Sequence, residues 1–144
     1  MSLFELRSEV DRHGGLAAAI ADYARTVAAQ AGLRVHLSLD ESTARLPAAT
    51  EAELLRIAQE AITNARKHAG ASNLWVTCTV NPPMAQIEVS DDGQGIVNPH
   101  PDGRYGLAIM AERAEGIRGR PEITPRRPSG TTVAVTLGGR EAAR

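Results

Sequence analysis

The spacing of apolar residues along the chain predicts three helices. They run from Leu16 to about Ala31, from about Thr50 to His68, and from about Gly106 to Ile117. In the first helix, four side chains recur on one stripe: Leu16, Ile20, Tyr23 and Val27. The second helix follows Pro47 and has Thr50 and Glu53 at capping-box spacing, so Thr50 is expected to cap its N-terminus.

Alternating apolar and polar positions predict five strands. They span about Leu33 to Leu39, Asn73 to Val80, Met84 to Asp91, Glu122 to Thr124, and Thr131 to Leu137. The stretch from Asp92 to Arg104 has no periodicity and has glycine or proline near both ends, which predicts a loop. Because strands without an intervening helix can pair as hairpins, this order predicts a mixed, mostly antiparallel sheet covered on one face by three helices. The expected fold class is an α/β (α+β) two-layer sandwich.

The chain is expected to hold one domain, from residue 14 to residue 138. A length of 144 residues allows a single hydrophobic core. Residues 1–13 are mostly polar with a weak amphipathic pattern, and we expect them to be a linker from a preceding domain. Residues 139–144 are expected to be a tail.

Composition excludes several classes of function. With 42% hydrophobic and 23% charged residues the chain is typical of globular proteins, and its net charge of −1 argues against a nucleic-acid-binding surface. Apolar runs are too short to span a bilayer and no signal-peptide pattern is present, so the chain is expected to be cytoplasmic, although its parent could be membrane-anchored. Cys78 is the only cysteine, which excludes an internal disulfide and predicts a buried, inert thiol.

The second predicted helix has an apolar face bordered by a polar margin. The apolar face comprises Leu54, Leu55, Ile57, Ala58, Ala61, Ile62 and Ala65. The polar margin comprises Glu60, Asn64, Lys67 and His68, which offer a carboxylate, an amide, an amine and an imidazole. These groups could face a polar ligand held against the sheet. Periodicity alone favours the simpler interpretation of an amphipathic helix with an ordinary polar border.

Two glycine-containing segments follow strand or loop ends. In the sequence Asp-Asp-Gly-Gln-Gly at 91–95, Gly93 and Gly95 let a ligand approach the backbone, and Asp91 could accept a hydrogen bond from an exocyclic amine. A tight turn explains this segment equally well. A calcium loop would need more acidic ligands and flanking helices. At 103–107, glycines precede a helix N-terminus, where phosphate oxygens bind readily, although the chain has no Walker sequence.

Taken in order, these motifs resemble those of the histidine-kinase-type ATPase domain. This Bergerat (GHKL) fold is shared by sensor kinases, type II topoisomerases, Hsp90 chaperones and mismatch-repair ATPases. Residues 60–64 resemble its N box, 91–95 its G1 box, 103–107 its G2 box, and Gly130-Thr131 its final glycine-threonine motif. The resemblance covers the chain from about Gly15 to Leu137.

Finer details resemble the nitrate-sensor-like class of histidine kinases, which has a short ATP lid. The similar stretches are residues 55–61, 64–69 and 106–114, the last containing an M-x-E-R sequence. In the G2 box this chain departs from the usual G-x-G-L, because the stretch here reads Gly103-Arg104-Tyr105-Gly106-Leu107.

The resemblance implies an enzyme that uses ATP and Mg²⁺. Asn64 would hold Mg²⁺ and bridge it to the phosphates, and Glu60 would orient the water shell of the metal. Asp91 would accept a hydrogen bond from the adenine amino group. The remaining implied nucleotide contacts are Lys67, His68, Gly93, Gly95, Ile96, Tyr105, Gly106, Leu107, and Thr131 or Thr132.

Phosphoryl transfer needs positioning more than a nucleophile from this domain. The resemblance implies a phosphoacceptor histidine on a separate dimerisation domain, a homodimeric parent kinase and a downstream response regulator. His13 is not expected to be the acceptor, because its surroundings do not match the E-L-H-D box of the family. Arg113 is expected to form a structural salt bridge rather than a phosphate contact.

Three alternative functions stay open. An anti-sigma-factor-type serine kinase shares the fold, but the M-x-E-R helix and short lid count against it. A nucleotide-sensing interaction module would not transfer phosphate, and the intact Glu60 and Asn64 favour catalytic competence. A topoisomerase- or Hsp90-like ATPase is the weakest alternative, because those domains are larger and have a longer lid.

Overall fold

A computed structural model describes residues 2–68, 70–93 and 107–138. Within these ranges the chain forms four helices and five strands. The helices are α1 (Leu3–His13), α2 (Leu16–Ala31), α3 (Ala48–His68) and α4 (Leu107–Gly116). The strands are β1 (Arg34–Glu41), β2 (Asn73–Asn81), β3 (Met84–Asp91), β4 (Gly119–Pro125) and β5 (Thr131–Leu137). None of the described helices is both long and apolar enough to cross a membrane.

The strands form one mixed sheet in the order β1-β2-β3-β5-β4. β1 and β2 run parallel, and the other neighbouring pairs are antiparallel. The last strand of the chain, β5, therefore lies between β3 and the edge strand β4. This register aligns Leu74 at the start of β2 with Asp91 at the end of β3 and with Thr131 at the start of β5.

Helices α2, α3 and α4 pack against the sheet and enclose the core. Alternate residues of β2 are buried beneath them, namely Leu74, Val76, Cys78 and Val80. The apolar face predicted for α3 is confirmed, because each of its seven predicted side chains is at most 4% exposed. The predicted burial of the Cys78 thiol is confirmed too, and this burial raises its pKa to about 12. The two-layer α/β class is correct.

The three helices predicted to cover the sheet are confirmed, and residues 3–13 form a fourth helix that was not predicted. Ser2 and Glu5 make a capping box at its N-terminus, with Ser2 N–H donating to Glu5 Oε1 (2.7 Å) and Glu5 N–H donating to Ser2 Oγ (3.1 Å). α1 packs on α2 and α3, and Leu6 and Val10 are fully buried in the core. A Ser-x-x-Glu signal was present in the sequence, but too few apolar residues accompany it. The role of residues 1–13 as an interdomain linker stays a prediction.

The expected cap of α3 is also wrong. The helix begins at Ala48, so Thr50 is its third residue and cannot be the N-cap. Strand β4 extends further than predicted, from Gly119 to Pro125. Its backbone pairs with β5 over all seven residues, and the side chains of an edge strand need not alternate. Edge position also accommodates Pro121, which has no N–H to donate.

Candidate nucleotide site

Four element ends meet at one end of the sheet. The short segment 69–72 joins the end of α3 to Asn73 at the start of β2, where β3 ends and β5 begins. The chain from α4 re-enters the sheet at Gly119, which lies at the opposite end, so the N-terminus of α4 points toward the Asp91 end. The described part of the predicted G1 box therefore lies beside the glycine-threonine motif, and the helix that contains the predicted N box ends four residues before β2.

The Asp91 side chain is the buried acceptor at this end. It is 7% exposed, and its Oδ1 accepts a hydrogen bond of 2.9 Å from the Gly93 N–H. The backbone N–H of Thr131 also donates to this carboxylate. Burial raises the pKa of Asp91 above its ordinary value, and the two backbone donors partly offset that effect. The group is thus a desolvated carboxylate held by neutral donors.

The neighbouring Asp92 has the opposite environment. Its Oδ1 accepts the backbone N–H groups of Ser72 and Asn73, both at 2.9 Å, and its Oδ2 accepts Asn73 Nδ2 at 2.8 Å. These bonds, with those to Asn73 the strongest, lower the pKa of Asp92 to about 2. Sequence reasoning did not single out Asp92, Asn73 or Ser72. The only signal was the second acid of the Asp-Asp-Gly sequence.

The loop between β4 and β5 packs against the backbone of Asp91 and Asp92. An added Cβ at Gly130 would lie 1.8 Å from the Asp91 carbonyl oxygen, and the φ of Gly130 is +111°, so only glycine fits. Ser129 Oγ donates to the Asp92 carbonyl at 3.0 Å. The Arg126 guanidinium lies over the Trp75 ring, 3.9 Å from its centroid. The loop is fixed against β3 at one end and against β2 at the other.

The two predicted threonines lie on opposite faces of the sheet. Thr131 pairs with Asp91 and is buried on the same side. Thr132 Oγ1 is instead hydrogen-bonded to Ser90 Oγ at 2.7 Å, on the opposite face of the sheet. The structure therefore brings Thr131, and not Thr132, to the Asp91 side.

The polar margin of α3 faces outward beside this end. Glu60 and Lys67 are exposed and Asn64 is half-buried. Glu60 lines an open polar cavity of about 290 Å³, whose other lining residues are Tyr23, Arg56, Gln59, Thr63 and Arg113. Arg113 Nη1 lies 3.2 Å from Glu53 Oε1, which confirms the predicted salt bridge.

The donor set on α3 suits Mg²⁺. Glu60 and Asn64 offer a carboxylate and an amide oxygen one helical turn apart, and Mg²⁺ prefers one or two such protein oxygens together with waters and phosphates. In the described part of the chain, no group of three His, Cys, Asp or Glu side chains is arranged to hold a metal ion. A site of this kind would therefore depend on the phosphates for most of its ligands.

Some predicted contacts lie outside the described residues: Gly95, Ile96, Tyr105 and Gly106. So does most of the predicted loop from Asp92 to Arg104. His68 and Leu107 are described as helix residues, but their side chains are not.

Comparison with known proteins decides the family. Residues 49–140 match the family model described as histidine kinase-, DNA gyrase B- and HSP90-like ATPase. The chain belongs to this ATPase family. The predicted resemblance is thereby confirmed, and the ATPase domain covers the whole region from α3 to β5.

The relatives of the ATPase domain include sensor kinases. The chain is 36% identical over 129 residues to the nitrate/nitrite sensor protein NarQ of Escherichia coli, and the match covers 88% of this chain and 22% of NarQ. It is 34% identical over 124 residues to NarX of the same organism, covering 85% of this chain and 21% of NarX. The chain thus spans about a fifth of the length of these relatives.

Solved structures support the fold. The histidine kinase domain of the Erythrobacter litoralis EL346 blue-light-activated kinase superposes with a TM-score of 0.70 at 21% identity, covering 95% of this chain and 75% of that one. Full-length ShkA in complex with AMPPNP gives a TM-score of 0.64 at 21% identity, and the match covers 85% of this chain and 29% of ShkA.

His13 is the last residue of α1. Its Nδ1 lies 2.9 Å from the Glu9 carbonyl, and its Nε2 lies 3.3 Å from Asp22 Oδ2. These contacts attach the ring to α1 and α2. That His13 is not the phosphoacceptor stays a prediction.

Proposed function

We propose that the ATPase domain binds Mg²⁺-ATP and transfers the γ-phosphoryl group to a histidine on a separate dimerisation domain. The observation that supports the proposal is the buried Asp91 carboxylate, which accepts backbone N–H groups at the end of the sheet where β3 ends and β5 begins. The parent would be a dimeric sensor histidine kinase of the two-component type, acting on a response regulator. The domain would work in the cytoplasm, where ATP is available.

Asp91 would select the base. A carboxylate oxygen can accept a hydrogen bond from the amino group on C6 of adenine, whereas guanine has a carbonyl oxygen there, and two acceptors repel. Because Asp91 is desolvated, both the attraction and the repulsion are stronger than they would be in water. The discrimination therefore comes from an unfavourable pairing with guanine as well as a favourable one with adenine.

The margin of α3 would handle the phosphates. Asn64 and Glu60 would hold the metal ion and its waters, and the exposed Lys67 amine would contact phosphate oxygens. Bound Mg²⁺ would supply charge neutralisation for the phosphates. The role of the protein is then to position the γ-phosphoryl group and exclude water, which accounts for most of the catalysis in phosphoryl transfer.

Titration calorimetry tests the binding step. The chain should bind ATP and ADP more tightly with Mg²⁺ than without it, and Asn64→Ala should remove that difference. Gln59→Ala, on the same helix outside the predicted metal pair, is the matched control and should retain it. Equal affinity with and without Mg²⁺ in the unmodified chain would contradict the metal assignment.

Labelling with γ-³²P-ATP tests the transfer step. The isolated chain should stay unlabelled, since it contains no histidine that matches the acceptor box. Addition of the dimerisation helices of the parent should give acid-labile label on a histidine there. Label on His13 would contradict the proposal, and label on serine would support the serine-kinase alternative.

A further inference from the structure

The orientation of the Asp91 carboxylate depends on the backbone on both sides of it. One donor, Gly93 N–H, lies two residues further along the chain, and the other comes from Thr131 on the adjacent strand. If the Asp91–Gly93 turn moved, the Gly93 bond would break. Whatever fixes this turn therefore fixes the acceptor that would meet the base.

Asp92 fixes the turn to β2. Its side chain accepts three hydrogen bonds from Ser72 and Asn73, where the chain enters β2. These are charge-assisted bonds, which are shorter and stronger than neutral ones. They join the end of β3 to the start of β2 one position beyond the last paired residues, Leu74 and Asp91.

Asn73 extends the connection to the edge strand. Because its Nδ2 donates to Asp92, its Oδ1 is the acceptor for His36 Nε2, 2.9 Å away, and that nitrogen carries the proton. The His36 ring also stacks on Trp75, with centroids 5.2 Å apart. Both ends of the Asn73 amide are thus hydrogen-bonded, which fixes the orientation in which its Nδ2 donates to Asp92.

We propose that Asp92 and Asn73 are positioning residues that hold the Asp91 carboxylate in its base-reading orientation and so set the preference for adenine over guanine nucleotides. The inference rests on the proposed function, because it concerns the same site. Neither residue needs to touch the nucleotide. The loop at Ser129 and Gly130 supports the same turn from the opposite side.

The test uses Asp92→Ala and Asn73→Ala, with Asp40→Ala as the control. Asp40 is an exposed aspartate on β1, paired in register with Thr79 at the other end of the strand, and its substitution removes the same charge. The first measurement is the Gly93 amide resonance by NMR without nucleotide. It should move upfield in both test variants, because its hydrogen bond to Asp91 weakens, and should not move in the control.

The second measurement is the ratio of GTP to ATP dissociation constants. Asp92→Ala should lower this ratio about 10-fold, the scale of one charge-assisted hydrogen bond, and Asn73→Ala by less. A purely structural role would lower stability without changing the ratio, so an unchanged ratio and an unmoved Gly93 resonance would overturn the inference. If Asp92→Ala does not fold, Asp92→Asn, which keeps one acceptor oxygen, and Asn73→Ala decide it. If the unmodified chain binds neither nucleotide, the proposed function fails, while the Gly93 resonance still decides the positioning role.

Discussion

Glu51 and Asp91 are the two buried acids in the part of the chain that the structure describes, at 2% and 7% exposure, and they are held in different ways. The Glu51 carboxylate receives Arg45 Nε at 2.7 Å and Arg45 Nη2 at 2.8 Å. The same guanidinium lies 3.3 Å from Asp11 on α1. Asp91 receives neutral backbone N–H groups instead.

This difference matches a structural role for Glu51 and the ligand-binding role proposed for Asp91. A buried carboxylate with a bidentate arginine has its charge compensated within the fold, and its removal or that of its partner costs stability. A buried carboxylate held by neutral amides keeps both its charge and its acceptor capacity, at a cost in desolvation that the fold itself does not recover. Burial alone does not distinguish the two acids, whereas the kind of hydrogen-bond partner does.

Gly130→Ala should lower the stability of the fold more than any other change considered, because it forces the β4–β5 loop away from the backbone of Asp91. The new Cβ would collide with the Asp91 carbonyl, and the φ of +111° is unfavourable for alanine. Overpacking and backbone strain together should cost at least about 3 kcal/mol in the free energy of unfolding. Gly14→Ala is the control, since Gly14 also has a positive φ (+84°) but no atom within 4 Å of the new Cβ. Urea denaturation showing equal losses would contradict the close approach.

Arg45→Ala should cause the next largest loss of stability, because it leaves the buried Glu51 carboxylate without its charged partner. We expect a loss of about 3 kcal/mol in the free energy of unfolding, at the lower end for breaking a buried pair, because Arg45 is itself partly exposed. Arg12→Ala removes an exposed pair with Glu9 and should lower the free energy of unfolding far less, because solvent screens that pair. If urea denaturation gives the same free energy of unfolding for both variants, the ion pair with Arg45 does not stabilise the buried Glu51.

Asp91→Asn should separate binding from stability. ATP affinity should fall about 10-fold or more, which corresponds to 1.5–3 kcal/mol for a charge-assisted hydrogen bond. Stability should stay level or rise, because burial raises the pKa of Asp91 and so disfavours its charged form. Glu51→Gln should show the reverse pattern, with lower stability and unchanged affinity. Calorimetry measures the ATP affinity of both variants, and urea denaturation measures their stability. Equal changes in the two variants would contradict the distinction between the two acids.

Acid should affect the two adjacent aspartates differently, and this is the smallest expected effect. The folded pKa of Asp92 is about 2, below its ordinary 3.8, so its contribution to stability is present above pH about 4 and is lost as the pH falls toward 2. The difference in stability between the unmodified chain and Asp92→Ala should shrink over that window. The raised pKa of Asp91 has the opposite sign, so ATP affinity should decline at a higher pH than an ordinary aspartate would give. Parallel pH profiles for stability and affinity would contradict this division.

Much of the fold could be predicted because its signals are local. The spacing of apolar side chains gave both ends of α2 and β3 and the buried face of α3, since each pattern depends on residues within one element. Helix α1 was missed for the same reason. Only Leu6 and Val10 are buried in it, and its stability depends on contacts with α2 and α3.

By itself the sequence determined the order of motifs, and that order identified the ATPase family and its candidate residues Glu60, Asn64 and Asp91. Only the tertiary structure decided three things. Asp91 rather than Asp92 is buried, Thr131 rather than Thr132 lies on the same face of the sheet as Asp91, and β5 is inserted beside β3. The physical reason is that sheet register joins residues about forty positions apart. Shifting that register by one residue would exchange the two faces, and no local pattern fixes it.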